Sequence, residues 1–145
     1  MKILLLIFIV VITGSAEWLN DIEAARTIAK EGHKFILLNF SGSDWCAPCI
    51  KMKQEVFEND AFLTIADKEL VLLRADFPRA KKNQLSKDQQ KHNEALAERY
   101  NPTGKFPYTL LLDAEGKILK EWDGYTFSSQ DKFISQLSRE LKLEH

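Results

Sequence analysis

Phe35-Ile36-Leu37-Leu38-Asn39-Phe40, Ser41-Gly42-Ser43-Asp44-Trp45, Cys46-Ala47-Pro48-Cys49 and Ile50-Lys51-Met52-Lys53-Gln54-Glu55-Val56 follow one another without a break, and their reading decides the fold. The first segment is an apolar run too short for a helix and closed by a Ser/Gly loop, so it predicts a buried strand. In the last segment and just beyond it, Ile50, Met52, Val56 and Phe57 fall mostly at helical spacing, with Lys and Glu between them, which predicts a helix. The two cysteines therefore stand at a strand-to-helix junction, where the first helical N–H groups lack partners within the helix. Those donors and the positive end of the helix dipole stabilise a thiolate. At this spacing the pair can close a small disulfide ring, with Cys46 expected to be the exposed sulfur and Cys49 the one behind it.

The composition narrows the alternatives. A chain of 145 residues is long enough for one domain with a real core. A net charge of −1 gives no electrostatic footprint for nucleic acid. The only two cysteines lie in the motif, whereas a disulfide-stapled scaffold carries more. A purely structural disulfide at this separation removes little chain entropy. A zinc site needs two further ligands, and His33, His92 and His145 are scattered without a paired spacing. Redox chemistry is the reading that survives.

Around this centre the chain divides clearly. Met1-Lys2, the apolar run Ile3–Ile12 and the small residues Gly14 and Ala16 read as a secretory leader cleaved after Ala16, with a buried first strand and an uncleaved membrane anchor as the alternatives. The run is short of the roughly 20 apolar residues a spanning helix needs. Residues 17–142 are the expected folded domain, and Leu143-Glu144-His145 reads as the remnant of an expression tag. Within the domain, Trp18 to Glu31 predicts a first helix with Asn20 as N-cap, Glu23 completing a capping box, and Gly32 terminating it, leaving His33 in an exposed turn. Ala61–Asp67 reads as a short helix or extension, and Leu70–Asp76 as a second buried strand, parallel to the first through a right-handed crossover. Residues 79–94 are the most polar part of the chain and read as a solvated loop leading to a surface helix, with Ser86 and Gln89 as its capping signature and Leu96 and Tyr100 as its apolar face. Asp113–Lys117 predicts a hairpin turn between Leu110–Leu112 and Ile118–Trp122. Ser128 or Ser129 caps a last helix with Phe133, Ile134, Leu137 and Leu141 inside.

The pattern of strand, Trp45-Cys46-Ala47-Pro48-Cys49 and helix resembles the thioredoxin superfamily, and the likeness extends over roughly residues 20–141. The resemblance implies an α/β, thioredoxin-like fold, with a central mixed sheet flanked by helices on both faces. It also implies that Pro107, in Phe106-Pro107-Tyr108, is a cis proline packed against the motif. The implied activity is thiol–disulfide exchange with protein partners, with Cys46 as attacking thiolate and Cys49 as resolving thiol. Trp45, Ala47, Pro48, Phe106 and Pro107 would form the surface that receives the partner, Pro107 holding a main-chain edge to which an extended segment adds as a strand. The dithiol/disulfide is itself the redox group, so no cofactor and no metal is implied. The loop from Phe40 to Cys46 resembles a secreted or periplasmic thioredoxin-like subgroup more than cytosolic thioredoxin. A reductant working there needs an electron donor across the membrane, and the unit is expected to be a monomer.

The sequence departs from thioredoxin at two places. Asn39 stands where the family carries an acidic residue that assists deprotonation of the second cysteine, and an amide cannot act as a base. The residues within the motif are Ala47-Pro48 in place of Gly-Pro. The expected function is therefore a protein thiol-disulfide oxidoreductase acting as reductase or isomerase. A disulfide-donating oxidase and a binding or chaperone-like module that keeps the fold stand as the alternatives.

Overall fold

In the computed structural model, which describes residues 16–126 and 129–145, one mixed sheet holds, in spatial order, Trp18–Leu19 (β1), Leu70–Asp76 (β3), Phe35–Ser41 (β2), Tyr108–Leu112 (β4) and Ile118–Asp123 (β5). The leader, Ala16 excepted, and the proposed cap Ser128 lie outside the described residues. The central strand β2 (Phe35–Ser41) runs parallel to β3 (Leu70–Asp76) and antiparallel to β4 (Tyr108–Leu112), which pairs antiparallel with β5 (Ile118–Asp123). Ile36, Leu37, Leu38 and Phe40 are fully buried. Each such side chain contributes about 1.5–3 kcal/mol by leaving water, so β2 anchors both halves of the core.

Strand alternation sorts the helices onto both faces, as the resemblance implied. Ile36, Leu38 and Phe40 pack with α1 (Ile22–Gly32) and α4 (Lys87–Tyr100) through Ala25, Ala29, Leu96 and Tyr100. Leu37 and Leu111 pack on the opposite face with α2 (Ala47–Met52), α3 (Asp60–Glu69) and α5 (Gln130–Leu143) through Met52, Phe62 and Leu137. Asn39 shares the face of Leu37, so it lies on the side of the sheet that carries the cysteine helix. The inner face read for α5 is observed: Phe133, Leu137 and Leu141 are buried and Ile134 packs against them.

Several local expectations are corrected. Trp18 is not helical: Trp18–Leu19 forms a two-residue strand, β1, on the open edge of β3, too short to show any periodicity. The N-cap of α1 is Asp21, whose Oδ1 accepts from Ala24 N at 2.9 Å, and Glu23 pairs with Arg26 instead of closing a capping box. Gly32 stays helical, and His33 takes the left-handed position at φ 51°, with its N–H and that of Lys34 closing the last carbonyls. The helix after the cysteines does not run on regularly: α2 widens into one π turn, Lys53–Phe57, which turns Val56 and Phe57 into the core, while Ile50 in α2 itself is 38% exposed. The expected short segment at Ala61–Asp67 is the longer α3, capped by Asn59 accepting from Ala61 N at 2.9 Å.

Candidate active site

The Phe35–Ser41 strand ends in a loop that is turned tightly by its own main chain. Gly42 O accepts from Trp45 N at 3.2 Å and from Cys46 N at 2.9 Å. A Cβ at Gly42 would run into the Trp45 indole, so only glycine lets that ring lie across the loop. Cys46 is then the N-cap of α2, in extended conformation, and its Sγ accepts from Cys49 N at 3.3 Å. Pro48 sits in the first turn, where its missing N–H costs no hydrogen bond. Cys46 and Cys49 are joined as a disulfide, with their Cα atoms 5.2 Å apart.

The expected contrast in exposure between the cysteines is not present in this oxidised state: Cys46 is 5% exposed and Cys49 4%. What separates them is position, since Cys46 Sγ occupies the cap and faces a helical donor. Around the disulfide, Ala47, Pro48 and Ile50 are exposed and Trp45 and Phe106 half-buried, giving an apolar, uncharged surround. Cys49 also lines an open cleft of about 340 Å³ with Ser41, Ser43, Arg74 and Asp76. In that cleft the Asp76 carboxylate accepts from Ser43 N at 2.9 Å and from Ser43 Oγ.

The Phe106–Pro107 bond is cis and Pro107 is buried. Trp45 and Phe106 meet edge-to-face with centroids 5.4 Å apart, which brings the proline loop to the motif. The Pro107 carbonyl accepts from Gly124 N at 2.9 Å, and a proline has no N–H to donate.

Asn39 is 2% exposed and bonded at both ends of its amide: its Nδ2 donates to Thr109 Oγ1 at 3.1 Å and its Oδ1 accepts from Arg74 Nε at 3.4 Å. Thr109 Oγ1 in turn reaches Met52 Sδ of the cysteine helix at 3.8 Å. The Arg74 guanidinium lies 3.9 Å from the centre of a Trp18 ring. Burial pulls its pKa below the usual arginine value, with the negative Asp76 opposing that pull. Asn39 thus acts as a polar tie between three strands beneath the motif. Behind the π turn, Tyr125 donates to Glu55 Oε2 at 2.5 Å, and burial, then this bond, push its phenol up to about 12.

The residue that sequence reading undervalued is Asp44. Its carboxylate accepts from Arg79 N, Ala80 N and Asn83 Nδ2, each at 2.9 Å, and these bonds hold its pKa below the ordinary value. The polar segment after β3 is therefore clamped to the cysteine loop, and not free in solvent at its start. Trp45 Nε1 adds a bond to Phe77 O at 2.8 Å. No spacing signal announces this clamp, because donor and acceptor lie more than thirty positions apart. Replacing Asp44 with Ala is expected to expose the Arg79 and Ala80 amides to rapid hydrogen exchange while leaving the sheet protected. In the parent protein the clamp holds above the ordinary carboxylate pKa of about 3.9 and is lost as pH falls through the lowered folded value. Exchange at those two amides, followed into acid, checks both statements.

A disulfide of Cys-x-x-Cys spacing at a helix start, beside a cis proline and on a mixed sheet covered on both faces, defines a protein built for thiol–disulfide exchange. Comparison with known proteins agrees. The thioredoxin-like domain family matches residues 22–139, and the chain belongs to it. It is 35% identical over 130 residues to a disulfide bond reductase, DsbH, of Chlamydia pneumoniae, covering 90% of this chain and 75% of that one. A solved DsbH oxidoreductase superposes with a TM-score of 0.78 at 31% identity, over 99% of this chain and 96% of that one. A thioredoxin-related protein, DsbJ, of the same organism is 30% identical over 71% of this chain but only 29% of its own length. The chain is a thioredoxin-like thiol-disulfide oxidoreductase.

Proposed function

We propose that the protein is an exported reductase of protein disulfides, working as a monomer through Cys46 and Cys49. The observation that carries the reading is the Cys46 sulfur at the helix N-cap, where a helical N–H and the dipole favour its thiolate. Support for the reducing direction comes from the relative named a disulfide bond reductase. Support for export comes from the basic start and apolar run of residues 1–16.

The Cys46 thiolate attacks one sulfur of a partner's disulfide. A Cys46–partner S–S bond forms, the partner's own S–S bond breaks, and its second sulfur leaves as a thiolate that takes up a proton. Cys49 loses its proton into the cleft it shares with Asp76 and attacks Cys46. The Cys46–Cys49 bond forms, the mixed disulfide breaks, and the partner departs as a dithiol with two electrons gained. A membrane electron donor that carries reducing equivalents across the bilayer, and is itself oxidised, must restore the dithiol. Trp45, Ala47, Pro48, Phe106 and Pro107 receive the partner chain.

Reduction of insulin, with a small dithiol as electron source, tests the reading. Turnover well above the dithiol alone is expected. Absence of turnover by a protein that carries both free thiols would reject it.

A further inference from the structure

The segment that follows β3 carries three cations, Arg79, Lys81 and Lys82, within four residues. All three are exposed, and among the described residues none takes part in an ion pair. In an unfixed loop they would be an ordinary solvated face. Here the loop is fixed. Asp44 holds the main chain of Arg79 and Ala80 and the side chain of Asn83. Phe77 packs edge-to-face on Phe106, with centroids 5.5 Å apart. The Arg79 guanidinium lies 3.6 Å from the centre of a Trp45 ring, and Trp45 is the residue before Cys46. The loop beside Trp45 therefore carries a cationic rim on a fixed main chain, next to the apolar Trp45 and Phe106, whereas the cleft at Cys49 is lined by charges of both signs, Lys53, Arg74, Glu58 and Asp76. Asp44 offsets only part of this charge, one carboxylate against three cations.

We propose that Arg79, Lys81 and Lys82 are specificity residues that select protein disulfides with Asp or Glu close to the attacked cysteine. This rests on the thiol–disulfide reading above. An arginine stacked on an aromatic face still presents its in-plane N–H groups, and these match a carboxylate in bidentate fashion. A partner segment docked in extended form rises about 3.3 Å per residue. An acidic residue about two to four positions from its cysteine would then lie roughly 7–13 Å away, a span suited to a rim that begins beside Trp45. Fixing the loop main chain and the Arg79 guanidinium in advance lowers the ordering cost of meeting that carboxylate, while the Lys81 and Lys82 ammonium groups add charge from a positioned backbone.

The test uses the full chain and two disulfide-containing peptides that differ only in carrying Glu or Lys at those positions. At low salt, kcat/KM for the acidic peptide is expected to exceed that for the basic one about tenfold, the size of a favourable electrostatic steering effect. The ratio should shrink toward one at high salt as the charges are screened. In Lys81→Gln/Lys82→Gln, whose side chains make no hydrogen bond or ion pair among the described residues, the low-salt ratio is expected to fall about three- to fivefold. Arg79→Lys, which keeps the charge but loses the fork, should lower it less. A wild-type ratio near one, or a ratio unchanged in the double variant, overturns the proposal. Failure to reduce either peptide overturns the reductase reading itself, and the rim proposal with it.

Discussion

Cys49→Ser is expected to leave the protein covalently bound to its substrates, because the mixed disulfide on Cys46 then has no internal thiol to resolve it. Cys46→Ser should form no such adducts and should lose disulfide reduction by on the order of 10³-fold or more, as when the nucleophile of a covalent mechanism is removed. The asymmetry follows from position. Cys46 Sγ is the cap that accepts the Cys49 N–H, whereas Cys49 lies inside the first turn and faces the cleft lined by Arg74 and Asp76. Non-reducing gels after acid quenching read the outcome directly. A chaperone-like binder would give no adduct with either variant, and equal adducts with both would mean that the two sulfurs are interchangeable.

The second large effect concerns stability. Asn39→Leu is expected to cost about 2–4 kcal/mol, because it strands two partners that are deeply placed. Thr109 Oγ1 loses its donor and the Arg74 guanidinium loses the acceptor that orients it beneath Trp18. For a domain of this size that loss lowers Tm by about 10 °C. Asn39→Asp should cost much less, since a carboxylate still accepts from Arg74 and can accept from the Thr109 hydroxyl. Thermal unfolding of the two variants separates a polar tie from mere volume. Equal losses in both would show that the hydrogen bonds to Asn39 carry no weight.

Much of this arrangement could be read from residues close together in the chain. The run Phe35–Phe40 and the run Leu70–Asp76 are apolar, bounded and β-branched or Leu-rich, and the strands observed begin where they begin. Ser86 caps α4 by accepting from Gln89 N, as its spacing suggested. The hairpin after Leu112 and the inner face of α5 were legible for the same reason, since turn residues and helical spacing act over a few positions. The cis state of Pro107 came only through the resemblance. What stayed hidden depends on distant partners. Trp18–Leu19 becomes a strand because β3 offers an open edge, and nothing within two residues can signal that. The π turn at Lys53–Phe57 is set by what the core accepts from Val56 and Phe57. The clamp from Asp44 to Arg79 and Ala80 turned a stretch that looked merely soluble into part of the site wall.

The direction of exchange is the central claim, and the reduction potential of the Cys46–Cys49 pair tests it most directly. Equilibration against glutathione buffers, read by the fraction of oxidised protein, should place it near the thioredoxin value of about −270 mV. A value near the roughly −120 mV of a strong disulfide donor would contradict the account and make the protein an oxidase.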